Sequence, residues 1–185
     1  TSKSSFKSFW KVKFIMKKKK YFGTDGIRGR VKEFPIVEDF FFKLAVSIKK
    51  TKKNTKKILI GRDTRVSGKC IERALRNGFK EVKVDCDFIG VASTPMVSFY
   101  TKFFNYDFGI MISASHNPYN DNGIKIFKSN GEKLSDEEEL KIEANYDRLK
   151  IISKFSKAKI SYKKIDLKDY KNFLKKNFKD IDLSG

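Results

Sequence analysis

Histidine, cysteine and tryptophan are nearly missing from this chain. It has one histidine, two cysteines, one tryptophan and three prolines in 185 residues. Cys70 and Cys86 are too far apart for a Cys-x-x-Cys motif and too few for a zinc pair, so disulfide scaffolds and cysteine-ligated metal sites are excluded. Reduced thiols in a cytoplasmic protein are the simplest account. No apolar run approaches the roughly 18 residues that span a bilayer. Phe9–Met16 is short and broken by Lys11 and Lys13, which excludes a signal-peptide core. Acidic residues are also scarce, 22 against 42 lysines and arginines, for a net charge of +20.

That excess attracts polyanions in general. Its lysines cluster at 17–20, 49–57 and 154–179, at helix ends and in linkers, without the pattern of a nucleic-acid module. The reading is a solvated basic surface with no specific nucleic-acid partner and no membrane. A non-catalytic basic binding module is the alternative from outside enzymology. Aromatic residues make up 14% of the chain, mostly phenylalanine, so a real core is available.

Short β-branched runs alternate with helical periods. Val37–Lys50 puts Phe40, Phe41, Leu44, Ala45 and Ile48 on one helical face. Ile58–Gly61 reads as a buried strand, Lys69–Phe79 as a helix with Cys70, Ile71, Ala74, Leu75 and Phe79 inward, and Val82–Val91 as the next strand. Thr94-Pro95 opens another helix, and the apolar run from Phe108 is a strand. Ile124–Phe127 is a further short strand. Ser135-Asp-Glu-Glu makes an N-cap and acidic first turn for a helix to about Leu149. A last amphipathic helix, near Leu167–Phe178, aligns Leu167, Tyr170 and Leu174. This alternation predicts an α/β fold with a mixed sheet covered by helices on both faces. Residues 1–20 read as a basic, disordered extension, with Met16 as the expected natural start. Residues 21–150 read as one domain, and 151–185 as a basic linker, a helix and the start of something further.

Three polar stretches punctuate the pattern. Ile112–Lys125 reads Ile-Ser-Ala-Ser-His-Asn-Pro-Tyr-Asn-Asp-Asn-Gly-Ile-Lys, a strand that breaks into a polar loop. It delivers Ser115, with the only histidine, His116, beside it and Lys125 ten residues on. A serine on a loop held by a buried strand is well placed for chemistry, although Asx-type turn bonds explain the composition too. Tyr21–Gly29 reads Tyr-Phe-Gly-Thr-Asp-Gly-Ile-Arg-Gly, where glycines permit the close backbone approach that phosphate loops need. Gly61–Gly68 reads Gly-Arg-Asp-Thr-Arg-Val-Ser-Gly at a strand-to-helix turn, where α/β proteins face their ligands. There Asp63 and Arg65 either bind phosphate or pair with each other to fix the loop; pairing is the favoured reading.

Together these stretches resemble the three N-terminal motifs of the α-D-phosphohexomutases, and the opening motif is closest to the branch that works on hexosamine phosphates. The resemblance runs from Tyr21 to Gly185 and corresponds to the first of that family's four domains and the entry into the second. It implies that Ser115 carries a phosphoryl group and that Arg28 faces it. Lys125 or His116 would handle the substrate's hydroxyl proton, and Arg62 and Asn117 would contact substrate or phosphate. It implies Mg2+ as cofactor, with the Ser115 phosphate as one ligand and the rest from an aspartate loop that has no counterpart here. The activity implied is interconversion of glucosamine 6-phosphate and glucosamine 1-phosphate through a sugar bisphosphate, with mannose or glucose phosphates as the alternative substrates. The sugar-selecting loop and the C-terminal phosphate loop also have no counterpart, so the chain resembles an N-terminal fragment, inactive alone.

Overall fold

The computed structural model describes residues 19–150, 165, 166, 168–179 and 181. Its elements run β1 (Ile27–Arg30), α1 (Glu38–Thr51), β2 (Lys57–Arg62), α2 (Gly68–Glu81), β3 (Asp85–Val91), α3 (Thr94–Phe103), β4 (Phe108–Ile112), β5 (Asp121–Lys128), α4 (Asp136–Asp147) and α5 (Lys168–Asn177). Five strands form one sheet in the order β1-β5-β4-β2-β3. β2 pairs parallel with β3 and β4, whereas β5 pairs antiparallel with β4 and β1. The sheet is therefore mixed, as the alternation of elements predicts.

Strand periodicity sorts the side chains onto two faces. Ile58, Ile60, Ile110, Ile112, Ile124 and Ile126 point into the larger core, beneath α1, α2 and α4. Leu59, Met111 and Phe127 point the other way, into two smaller clusters with Tyr100, Tyr106 and Val97 around α3. Helices thus cover both faces. On α1, Phe40, Phe41, Leu44, Ala45 and Ile48 are all buried.

Helix α4 begins with the capping box that its sequence announces. The Ser135 side chain accepts from the Glu138 backbone N–H, and Glu138 returns a bond to the Ser135 N–H at 2.8 Å. Its inward carboxylates have a second task. Glu143, buried, accepts the backbone N–H groups of Lys20, Tyr21 and Phe22 at 2.6–3.0 Å. Lys19 Nζ bonds Asp136 at 2.8 Å and Glu139 at 2.6 Å. The folded unit therefore takes in Lys19 and Lys20, which the sequence reading assigned to the extension.

Three other readings are corrected. Cys70 is exposed, because it lies in the first turn of α2, which faces a cleft rather than the core. Asp121-Asn122-Gly123, read as part of the polar loop, is the start of β5 and pairs with Arg30, Gly29 and Arg28. Val82–Val84, assigned to a strand, instead closes α2, with Val82 as its C-cap and Lys83 at positive φ. Helix α5 packs Tyr170 and Phe173 onto Phe99 but buries no residue of its own. Leu167, the linker 151–164 and the N-terminal residues 1–18 lie outside the described residues.

Candidate functional site

Ser115 follows β4 by three residues and stands in the left-handed region at φ 58°. A non-glycine residue is held there only when its surroundings fix it. Two contacts do so. Buried Ser113 accepts the Ser115 backbone N–H on its hydroxyl oxygen at 2.9 Å. From the other side, Arg65 Nη2 donates to the Ser115 carbonyl at 3.0 Å and the Asn117 carbonyl at 2.8 Å. The same guanidinium also reaches the carbonyls of Pro118 and Asp121. Arg65 is itself held by Asp63, which accepts from its Nε and backbone N–H, each at 3.0 Å. The favoured reading of that pair, a brace that fixes the loop, matches this geometry. The Ser115 side chain is left exposed, while Ser113 is buried.

Arg28 and Lys125 meet on the neighbouring strands. Arg28 lies opposite Gly123 and Lys125 opposite Met111, so both side chains point to the face that carries Met111 and Phe127. Arg28 Nη1 donates to Asn117 Oδ1 at 3.1 Å, and Asn117 Nδ2 donates to Asp121 at 2.9 Å. That ties β1 to the Ser115 loop. A carboxylate the sequence reading passed over joins the two cations: Asp25 Oδ2 is hydrogen-bonded to Arg28 Nη2 and lies 2.7 Å from Lys125 Nζ. The Lys125 ammonium, with Arg28 and Lys133 nearby, holds the Asp25 carboxyl below the usual carboxylate range. Arg28 Nε is buried and has no hydrogen-bond partner among the described residues.

This crossing of β1 and β5 depends on two glycines. Gly26, at φ +85°, would put a Cβ 2.1 Å from the Ile124 carbonyl oxygen, and Gly123 would put one 2.1 Å from that of Ile27. Neither position has room for a side chain.

Beside the loop opens a cleft of about 1380 Å³ that Ser115, Asn117 and Arg65 help to line. The N-terminal ends of α1, α2 and α3 all reach it, through Glu38, Ser67 and Thr94. None of the three is capped by its own N-cap side chain. Helix N-termini carry partial positive charge, so the cleft favours an anion. Arg62 does not line it. Its Nε lies 3.2 Å from the buried Glu72 carboxylate, and its Nη1 bonds the Asp63 carbonyl. His116 is exposed, on the solvent side of the loop that Ser113 and Arg65 pin. The structure therefore links Ser115, Asn117, Arg28 and Lys125 in one network through Arg65 and Asp25, joins Arg62 to it only through the Asp63 carbonyl, and leaves His116 outside it.

Among the described residues, no group of three or more His, Cys, Asp or Glu side chains converges on a point that could hold a metal. A phosphate on Ser115 would supply one oxygen ligand, and Mg2+ needs near-octahedral oxygen coordination. The described residues alone do not make that site. No described helix is long and apolar enough to cross a membrane.

Residues 19–151 match the model of phosphoglucomutase/phosphomannomutase, alpha/beta/alpha domain I. A phosphoglucosamine mutase from Vibrio atlanticus is 50% identical over 136 residues, 72% of this chain and 30% of the relative. One from Buchnera aphidicola subsp. Baizongia pistaciae is 48% identical over 157 residues, 83% of this chain and 35% of the relative. The fold is similar to a crystal structure of a candidate phosphomannomutase from Thermus thermophilus, with a TM-score of 0.69 and 26% identity over 88% of this chain and 36% of that one. The chain spans about a third of the length of the relatives it matches. Helix α5 lies beyond the span that the family model matches. The chain belongs to the phosphoglucomutase/phosphomannomutase family, whose first domain it carries.

Proposed function

We propose that this chain is the phosphoserine-bearing part of a phosphoglucosamine mutase, an isomerase of amino-sugar metabolism acting in the cytoplasm. The observation that carries the proposal is Ser115, exposed at φ 58° on a loop pinned by Ser113 and Arg65, in a network that also holds Arg28 and Lys125. The relatives at 48–50% identity are phosphoglucosamine mutases, which favours that substrate over mannose or glucose phosphates. The second reading, a phosphomannomutase or phosphoglucomutase, has a solved structural relative in its favour.

Moving phosphate between two hydroxyls of one sugar needs a temporary carrier, and a serine phosphoester on a rigid loop is stable enough to serve. A sugar hydroxyl attacks the phosphorus, the bond to Ser115 Oγ breaks, and the serine oxygen takes up a proton as the hydroxyl loses its own. The bisphosphorylated sugar then returns its other phosphate to Ser115. Positive charge around the transferring group lowers the barrier, which is the role proposed for Arg28 and Lys125. Lys125 is the better placed of the two candidates for the hydroxyl proton, because it shares the network and His116 does not. Asn117 would orient the substrate phosphate, and Arg62 would act through the Asp63 loop. Mg2+ would be completed by ligands outside this chain, and in the whole enzyme it would help neutralise the phosphoryl charge.

The test is phosphoryl transfer to the chain. Incubation with glucosamine 1,6-bisphosphate should add one phosphoryl group by intact mass, mapped to Ser115. Ser113→Ala should still accept it and Ser115→Ala should not. Phosphate that maps to Ser113 would overturn the assignment.

A further inference from the structure

Among the described residues, Asp25 is the one acidic group that touches both Arg28 and Lys125, and a single oxygen, Oδ2, makes both contacts. Two cations this close repel each other unless an anion lies between them. Asp25 is half exposed, on a loop between two glycines, and nothing but these two ion pairs holds its carboxylate among the described residues. Arg28, by contrast, is fixed: it is four-fifths buried, paired with Asn117, and tied to the loop that carries Ser115. Its buried Nε still has a hydrogen to donate and no acceptor among the described residues. The cations are thus positioned from below by the sheet, while the anion between them is positioned only by the cations.

We propose that Arg28 and Lys125 form a seat for a phosphate group and that the Asp25 carboxylate fills this seat as an intramolecular stand-in while no phosphate is present. This rests on the proposed function, which supplies the phosphate, and adds to it a residue with a regulatory part. A phosphoryl dianion offers three oxygens where the carboxylate offers two, so it can satisfy Arg28 Nη2 and Lys125 together and also reach Nε. On its arrival Asp25 swings out to solvent. The stand-in has two effects. It keeps the seat from closing on itself or trapping small anions, and it subtracts from phosphate affinity, so a group bearing phosphate must compete for the two cations. Lys133 is the third cation that acts on Asp25, and it bonds the Thr24 carbonyl, so the loop has a position to return to.

Inorganic phosphate titrated into the 185-residue chain tests this, with the Nε–H resonance of Arg28 followed by NMR. Asp25→Asn should bind phosphate at least about fivefold more tightly than the parent chain, the equivalent of one partly exposed ion pair. The Arg28 Nε–H signal should shift on saturation. Glu137→Gln, which removes an equal charge from the exposed face of α4, should bind as the parent does. Asp25→Ser checks that any gain does not depend on the asparagine side chain, and the amide spectra report folding of each variant. Equal or weaker phosphate binding by folded Asp25→Asn and Asp25→Ser would overturn the stand-in and make Asp25 a positioning residue. So would a gain matched by Glu137→Gln, or saturation without a shift at Arg28 Nε. Transfer of phosphate to Ser115 is measured separately, so failure here leaves that reading standing.

Discussion

The guanidinium of Arg65 and the main-chain carbonyl of Ser115 are joined by a 3.0 Å hydrogen bond across a gap of fifty residues. Through it the turn after β2 governs the backbone of the loop after β4. Three further loop carbonyls share the same guanidinium, and Asp63 fixes its orientation. A lysine has no planar fork with which to reach several acceptors at once. Arg65→Lys should therefore loosen residues 113–121 nearly as much as Arg65→Ala does. We expect faster amide hydrogen exchange in that loop, and for the alanine variant a loss of about 2–3 kcal/mol in denaturant unfolding. Unchanged exchange in both variants would show that Ser113 and the strand ends hold the loop unaided.

Gly26 and Gly123 set how closely β1 approaches β5. Alanine at Gly26 meets both a positive φ and a carbonyl oxygen at 2.1 Å. Gly26→Ala should cost about 2–4 kcal/mol, above the ordinary left-handed penalty because the clash is with backbone. Circular dichroism melts would register it as a large fall in Tm. A shift of only a degree or two would mean that β1 moves away without cost, and Arg28 would then lose its bond to Asn117.

The acid limb of stability should carry the mark of Asp25. Lys125 holds its carboxyl below the ordinary value, so the folded state favours the ionised form. A depressed carboxylate adds stability that is complete above its unfolded pKa, near 3.9, and is lost as pH falls through the lower folded value. Asp25→Asn should remove that contribution at neutral pH and flatten the decline below about pH 4. Denaturant unfolding at pH 7 and at pH 3 measures it: the gap between parent and variant should shrink at the lower pH. A gap that widens on acidification contradicts the sign of the Asp25 shift.

Much of the fold was legible because its signals are local. The buried strand before Ser115, the apolar face of α1 and the Ser135–Glu138 cap each sit within a few residues of sequence. The Asp63–Arg65 pair was legible for the same reason. What the sequence hid was long-range pairing. Asp121-Asn122-Gly123 has turn chemistry, yet it becomes strand because β1, over ninety residues earlier, offers it a partner. Cys70 fits an inward helical period, but that period meets the open cleft at the first turn of α2. Glu143 reads as one more helix-surface acid until the N-terminal segment folds across it. Asp25 was missed although it stands three residues before Arg28, because its second partner, Lys125, is a hundred residues away.

The last expectation concerns the chain by itself. Its sheet has a continuous core on one face and two smaller clusters on the other, so it should unfold cooperatively in denaturant, with coincident transitions by fluorescence and circular dichroism. Turnover asks for more than folding. Phosphoryl transfer depends chiefly on positioning and on offsetting charge, and a divalent ion beside the phosphoserine supplies much of the second. The described residues contain no cluster of carboxylates to hold that ion, and the Arg28–Lys125 pair can neutralise only part of a phosphoserine facing a sugar phosphate. Half of the reaction asks for less: a bisphosphate in large excess has to meet Ser115 once. We therefore expect slow, stoichiometric labelling of Ser115 and no interconversion of glucosamine phosphates above background, with or without added Mg2+. Phosphorus NMR of the sugar pool separates the two outcomes. Sustained turnover by the purified 185 residues would mean that a metal site forms within them once Ser115 is phosphorylated.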